Sequence, residues 1–365
     1  MKRVTHLWPA LVTWRHLVHS AHAAALGKRS RPDVARFTAD LEPNLLRLQH
    51  ELTTGTYQPG PYRTFWIRDP KARLISAAPF RDRVVHHALT RILEPVFEKR
   101  FTPFSFASRK GFGQHQALTL ARQACLQHPY VLKCDVRKYF PSLDHEILVD
   151  LLARTIKCRP TLELASKIIT ASNPQEDIAL YFPGDNLFTP HERRRGLPIG
   201  NQTSQFFSNV YLNPLDHFVL RELRPGAYLR YVDDFVLFGD SQSELLHMRH
   251  RIVDFLAQLR LALHEGKSRV YRCQDGFTLL GWRLSPGKAL LPRATIVRVR
   301  RRFRAIVHAY HHGGLDLAGV LARLNAWRGH AQSGSTAALI ERLFDSVILI
   351  PAERGRIAAR GRLEQ

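Results

Sequence analysis

The sequence predicts an α+β fold of several subdomains, and three observations point there. Long stretches near both ends carry apolar residues at spacings of three and four, the period of a helix buried on one face. The middle of the chain instead holds short β-branched and aromatic runs, Tyr130-Val131-Leu132-Lys133-Cys134-Asp135 and the two that flank residues 231–234, which read as strands. A chain of 365 residues with 45% hydrophobic residues is long enough to bury two or three cores and is not of the disordered class.

Taken in order, residues 1–60 read as a helical extension. Leu7 to Leu26 and Pro32 to Leu52 keep the helical period, separated by the polar break Gly27-Lys28-Arg29-Ser30-Arg31-Pro32. A hairpin is expected near Thr64 to Ile75, then helices from Asp82 to Lys99 and from Gln114 to Gln127. Residues 128–288 mix helices with antiparallel strands. Residues 289–350 read as all-helical, with segments from Thr295 to Tyr310, Leu315 to Arg328 and Thr336 to Leu349. The first of these interleaves Val297, Val299, Phe303, Ile306 and Val307 with Arg298, Arg300, Arg301, Arg302 and Arg304. Residues 351–365 form a basic C-terminal tail. No internal repeat or low-complexity tract is evident.

The formal net charge of +23 implies a polyanionic partner, bound through phosphates with release of counterions. A basic surface that only keeps the protein soluble would not need so large an excess. No window reaches the roughly 18–20 apolar residues of a membrane span, and the N-terminus lacks the apolar core of a signal peptide. The expectation is a cytoplasmic protein with no membrane partner. Cys125, Cys134, Cys158 and Cys273 are scattered without paired zinc-ligand spacing and read as small packing residues.

The chemistry centres on Tyr231-Val232-Asp233-Asp234, set between Ala227-Tyr228-Leu229-Arg230 and Phe235-Val236-Leu237-Phe238-Gly239. Adjacent carboxylates at the tip of a hairpin of apolar strands repel and are partly desolvated, a cost that a divalent cation removes. Taken alone, the pair reads more readily as a polar turn between buried strands, a common arrangement. Asp135, at the end of a second apolar strand, supplies the further carboxylate that two-metal phosphoryl transfer needs, one group bridging ions roughly 3.5–4 Å apart. Alone it too reads as a cap or turn former.

Together these segments resemble the palm of a reverse transcriptase, and the resemblance runs in order along the chain. It covers Lys71 to Leu89, Pro103-Phe104-Ser105-Phe106-Ala107-Ser108-Arg109-Lys110-Gly111-Phe112-Gly113, the Asp135 strand, Gly196-Leu197-Pro198-Ile199-Gly200-Asn201-Gln202-Thr203-Ser204-Gln205, the Asp233-Asp234 hairpin, Leu263-His264-Glu265-Gly266-Lys267-Ser268 and Phe277-Thr278-Leu279-Leu280-Gly281-Trp282. It implies a right-hand polymerase fold with fingers at 61–127, palm at 128–288 and a helical thumb at 289–350, behind an N-terminal extension at 1–60. Ile199-Gly200 and Ser204-Gln205, where group II intron enzymes usually carry Gln-Gly and Ser-Pro, look like the reverse transcriptase of diversity-generating retroelements. Bacterial defence enzymes are near relatives and remain the alternative.

By that resemblance Asp135, Asp233 and Asp234 are the catalytic carboxylates. With the carbonyl of Val136 they hold two Mg²⁺ ions, for which Mn²⁺ is a substitute. Arg73 clamps the incoming dNTP triphosphate, with Lys71 as a second contact, and Arg83 braces the fingers. Phe140 is the steric gate against a 2′-hydroxyl, and Lys267 protonates the leaving pyrophosphate. Ile199 stands where many relatives have a glutamine that touches the sugar, which implies low fidelity, concentrated opposite template adenines in the retroelement family; Gly200 admits close backbone approach. Gln205 and Tyr231 touch template, nucleotide or primer, Leu280-Gly281-Trp282 form the primer grip, and Arg298, Arg301 and Arg302 hold the template–primer duplex. For several of these the bland reading stays open: Tyr231 and Trp282 as core aromatics, Gln205 as a surface amide, Arg73, Lys267 and the thumb arginines as solvated charges.

The implied partners are a template RNA, the primer or growing cDNA, dNTPs and a small basic helical accessory protein that oligomerises. The short stretch after residue 350 leaves no room for an RNase H domain, an HNH-type endonuclease or a long maturase extension, so template removal and target entry are expected of other factors. Outside the enzymes stands one alternative, an inert RNA-binding scaffold, against which the intact Asp135, Asp233, Asp234, Phe140 and Arg73 argue.

Overall fold

A computed structural model describes residues 3–68, 72–172, 178–345 and 347–349. In chain order the N-terminal part holds α1 (Trp8–Leu11), α2 (Trp14–Ala25), α3 (Pro32–Ala39), α4 (Leu41–Thr53), β1 (Arg63–Ile67), β2 (Arg73–Ala77), α5 (Phe80–Glu98) and α6 (Gln114–Gln127). The middle holds β3 (Tyr130–Asp135), α7 (Tyr139–Ser142), α8 (His145–Ala153), α9 (Arg159–Thr170), α10 (Thr189–Glu192), α11 (Gln202–Phe218), β4 (Ala227–Tyr231), β5 (Asp234–Gly239), α12 (Gln242–Gln258) and β6 (Arg269–Arg272). It closes with β7 (Phe277–Leu279), β8 (Trp282–Ser285), β9 (Lys288–Leu290), α13 (Arg293–His311), α14 (Leu317–Ala331) and α15 (Ala337–Asp345). Mixed helix and sheet agree with the expected α+β class.

The chain divides into two compact units, residues 1–113 with 132–270 and residues 114–131 with 271–365. In the first, a four-stranded sheet runs in the order β4-β5-β3-β6, and β1 pairs with β2 in a separate antiparallel hairpin. β5 lies between β4 and β3, and Phe235, Val236, Leu237 and Phe238 are all fully buried. Such an unbroken apolar run is what a strand covered on both faces requires, each side chain contributing about 1.5–3 kcal/mol. α11 packs on α5 and α8, and α12 packs on β5.

Two long N-terminal helices were expected, and each is broken. Pro9 starts α1, and the Thr13 hydroxyl accepts a bond from His16 N at 3.4 Å to cap α2, so the chain turns between them. Asp40, at φ −113° and ψ 48°, interrupts α3 and α4, where Asn44 Nδ2 donates to the carbonyl of Phe37 at 3.1 Å. The periodicity continues across both breaks because all four helices bury one face.

In the second unit, β7, β8 and β9 form an antiparallel sheet on which α6 packs. α13, α14 and α15 share a core of Val299, Phe303, Ile306, Val320, Leu324 and Leu343. α15 ends at Asp345, short of the expected Leu349, and α14 starts where Asp316 accepts from Gly319 N at 2.9 Å. The four cysteines are free and buried, as expected of packing residues. No helix among the described residues is long and apolar enough to cross a membrane.

Candidate active site

The register Tyr231↔Asp234 makes Val232-Asp233 a two-residue turn joining β4 to β5, with Val232 at φ +60°. The expected hairpin is therefore present, with both acidic residues at its tip. Asp135 ends β3, the strand beside β5. Burial pushes the carboxyl of Asp233 up to about 6, reinforced by the charges of Asp234 and Asp135. Burial also raises Asp234; Lys133 opposes this, while Asp135 adds to it by charge and by a shared hydrogen bond, and Lys267 opposes it.

Three side-chain cations balance the cluster. Lys267 Nζ donates to Asp135 Oδ2 at 2.7 Å, Lys133 Nζ stands 3.8 Å from Asp234 Oδ1, and Arg73 draws the Asp233 carboxyl down. Lys133 was not singled out in the sequence; its signal was a lone charge inside an apolar strand. Among the described residues no three His, Cys, Asp or Glu side chains form a ready cage for a metal ion. The three aspartates feel one another, and Asp135 is shared between Lys267, which donates to its Oδ2, and Asp234.

The donor set nevertheless suits a hard divalent cation. It is anionic and all oxygen, and Asp234 Oδ1 is buried without a hydrogen-bond partner. Val136 bridges Leu263, and the two bonds that close the bridge come from its neighbours, Arg137 N to the Ala262 carbonyl at 2.8 Å and His264 N to the Asp135 carbonyl at 2.7 Å. The carbonyl of Val136 takes no part in those bonds.

The nucleotide-side candidates are drawn together by the loop before α11. Asn201 Nδ2 donates to the Ser76 carbonyl at 2.9 Å and its Oδ1 accepts from Ala78 N at 3.4 Å, tying β2, which carries Arg73, to Ile199-Gly200. Gly200 lies at φ +109°, which favours glycine, and a Cβ there would stand 3.1 Å from Ile75 Cγ2, so that methyl would also have to give way. Leu197 N donates to the Phe140 carbonyl at 2.9 Å and Gly196 N to that of Leu143 at 2.8 Å, which sets the same loop against half-buried Phe140. Tyr139 is buried, its hydroxyl donating to the Ser208 carbonyl at 2.6 Å, and belongs to the core. Exposed Gln205 accepts from Ser108 Oγ at 3.4 Å, and Tyr231 is half-buried beside the carboxylates. Arg83 pairs with Asp33 and so links α5 to α3, in keeping with a brace. Lys71 lies outside the described residues, as do residues 351–365.

In the second unit, Leu280 (φ +50°) and Gly281 (φ +81°) form the turn between β7 and β8, and the Leu280 carbonyl accepts from Gln114 Nε2 at 2.7 Å. Trp282 corrects an expectation. Its side chain is fully buried, its ring centroid 5.4 Å from that of His330, so a contact to primer by this indole is not available at its surface. Only Leu280 and Gly281 of the expected grip reach solvent. Arg298, Arg301 and Arg302 are exposed on α13, away from the face that buries Val299, Phe303 and Ile306.

Residues 68–284 match the family model described as reverse transcriptase (RNA-dependent DNA polymerase). The chain belongs to the reverse transcriptase family. The matched region holds Asp135, Asp233 and Asp234, the nucleotide-side residues and both turns described above. Among similar proteins, YkfC of Escherichia coli is 26% identical over 286 residues, 67% of this chain and 72% of that protein. The group II intron-encoded protein LtrA of Lactococcus lactis is 26% identical over 183 residues, 49% of this chain and 29% of LtrA. The putative COX1/OXI3 intron 1 protein of Saccharomyces cerevisiae is 26% identical over 177 residues, 48% of this chain and 20% of its own length. This chain thus spans less than a third of the two intron proteins, and its relatives also include nuclear intron maturases of Arabidopsis thaliana.

Besides Lys133, the sequence reading missed a charged pair in the first unit. Arg230, inside an apolar strand, is fully buried against Asp216, also fully buried. A charged residue at an inward position of a strand is the signal that would have found it.

Proposed function

We propose that this chain is an RNA-directed DNA polymerase that makes cDNA from a retroelement RNA by two-metal nucleotidyl transfer. The observation that carries the reading is the crowding of Asp233 by Asp234 and Asp135, balanced by Arg73, within the family-matched region. Asp135, Asp233, Asp234 and the Val136 carbonyl would hold the metal ions. When bound, Mg²⁺ or Mn²⁺ supplies charge neutralisation for the triphosphate and lowers the pKa of the primer 3′-hydroxyl. Arg73, through its planar fork, binds triphosphate oxygens and aligns the dNTP. Lys267 exchanges Asp135 for the leaving pyrophosphate and delivers a proton to it. Phe140 sits under the sugar and excludes ribonucleotides. Exposed arginines of α13 hold the template–primer duplex by its phosphates, and the +23 charge favours that grip.

At finer grain we assign the chain to a low-fidelity, diversity-generating retroelement, on Ile199-Gly200 and Ser204-Gln205. Isoleucine cannot replace a glutamine hydrogen bond to the sugar, so mispaired nucleotides are penalised less. The accessory protein belongs to this assignment alone. The names of the relatives favour a second reading, an intron-encoded polymerase outside the diversity-generating class.

Primer extension on an RNA template with Mg²⁺ and dNTPs, beside Asp233→Ala and with products sequenced, tests both levels. Synthesis lost in the variant supports the polymerase; errors concentrated opposite adenine support diversification, and cDNA without that bias supports the intron reading. Inactivity that persists with cognate RNA and accessory protein present refutes the polymerase.

A further inference from the structure

The hairpin that carries Asp233 and Asp234 is held from beneath by a charged pair with no access to water. Arg230 Nε donates to Asp216 Oδ1 at 2.7 Å and Nη2 to Oδ2 at 2.6 Å, a two-point fork. The Tyr228 hydroxyl donates to the same Oδ1 at 2.6 Å. The remaining nitrogen, Nη1, donates to the carbonyl of Val232 at 2.9 Å and to Asn209 Oδ1 at 3.3 Å.

Val232 is the first of the two turn residues, and its φ of +60° is the sign that hairpins of this kind ordinarily meet with glycine. A β-branched residue persists there only where its surroundings over-determine the backbone. The Arg230 bond to the Val232 carbonyl is such a constraint. The main chain of Arg230 is fixed as well: its N–H donates to the Phe104 carbonyl at 2.8 Å, and its carbonyl accepts from Phe106 N at 2.9 Å. Asn209 Nδ2 donates to the Ala107 carbonyl at 2.8 Å, so α11, β4 and the 104–107 segment close around one guanidinium.

Charge does not explain the arrangement. Asp216 cancels Arg230, and a buried ion pair is commonly replaceable by apolar residues of equal volume without loss of stability. What an apolar pair cannot do is donate to the Val232 carbonyl. We propose that Arg230, locked by Asp216, is the positioning residue of the active-site hairpin, holding Val232 at positive φ and thereby fixing where the Asp233 and Asp234 carboxylates stand. Its consequence for rate rests on the polymerase reading; its consequence for metal affinity rests on the carboxylates alone.

The test uses the full chain in three forms: Arg230→Met with Asp216→Leu, Arg230→Lys alone, and Arg230→Lys with Val232→Gly. Single-nucleotide incorporation gives kcat and KM for dNTP, Mn²⁺ titration followed by electron paramagnetic resonance gives metal affinity without substrate, and thermal unfolding reports the fold. The apolar pair leaves the buried Tyr228 hydroxyl without its acceptor, so it is expected to unfold a few degrees earlier than wild type yet stay folded under assay conditions, with KM changed less than about threefold and kcat lowered about 100-fold. Mn²⁺ affinity should fall in the same variant. Glycine at 232 takes positive φ unaided, so it should return part of the kcat lost in Arg230→Lys, a rescue that a purely structural role does not give. Wild-type kcat and Mn²⁺ affinity in a folded apolar pair would overturn the proposal. If that pair does not fold, absence of rescue in the lysine background overturns it. A wild type that binds Mn²⁺ but extends no primer would sink the polymerase reading and leave the metal titration to decide the role of Arg230.

Discussion

Asp233→Asn should stabilise the metal-free protein at neutral pH while ending its chemistry. Burial and two neighbouring carboxylates move Asp233 from an ordinary 3.8 to about 6. That difference corresponds to about 3 kcal/mol for a carboxylate fully out of water, and to about 2 kcal/mol for one that keeps an edge in solvent. The folded pKa lies above the unfolded one, so the folded state holds the extra proton between them. Stability from this group is therefore whole below about pH 4 and is lost as pH rises through about 6. Asparagine removes the charge and with it the slope. Guanidinium denaturation in EDTA at pH 4, 5, 6 and 7.5 should show the variant level with wild type at pH 4 and about 2 kcal/mol more stable at pH 7.5. Adding Mg²⁺ at pH 7.5 should close the gap by raising wild type alone. A wild type whose stability is flat from pH 4 to 7.5, or a variant weaker at pH 7.5, would refute the reasoning that the site stores an uncompensated charge.

Lys267→Met removes the 2.7 Å partner of Asp135 from a half-exposed position. Stability should move by less than about 1 kcal/mol, while single-nucleotide incorporation falls about 100-fold. Phe140→Ala should lower the preference for dNTP over the matching ribonucleotide on the order of 100-fold with folding retained, read by competition in primer extension. Gly334→Ala places a Cβ 2.1 Å from the Trp282 ring and 2.7 Å from the Ala289 carbonyl. It should destabilise the second unit by about 2 kcal/mol or more, visible in thermal unfolding.

What was legible in the sequence was what local pattern dictates. α6 spans Gln114–Gln127 as expected because its apolar period is unbroken and no capping competitor lies within it. The Asp233-Asp234 hairpin was legible because two carboxylates interrupt runs that otherwise want burial. The breaks at Thr13 and Asp40 were not, since a side-chain cap and one non-helical backbone angle leave the hydrophobic period untouched. The Arg230–Asp216 pair was hidden for a related reason: its two halves are on different elements, and only Arg230, a charge inside an apolar strand, carries a sign of burial when taken singly. Trp282 was assigned from its place in a motif, yet the alternation of buried and exposed residues along β8 directs it inward.

The same inward tryptophan has a mechanical meaning. Gly334, just beyond α14, lies flush against the Trp282 ring, and Ser335 N donates to the Ala289 carbonyl at 2.8 Å. The end of that helix is thus seated on the small sheet, with the Trp282 ring wedged against a backbone position that carries no side chain of its own. Sheet and helix must travel as one body, and the Leu280-Gly281 turn travels with them. Any flexing of these helices has to find its pivot elsewhere than at this joint.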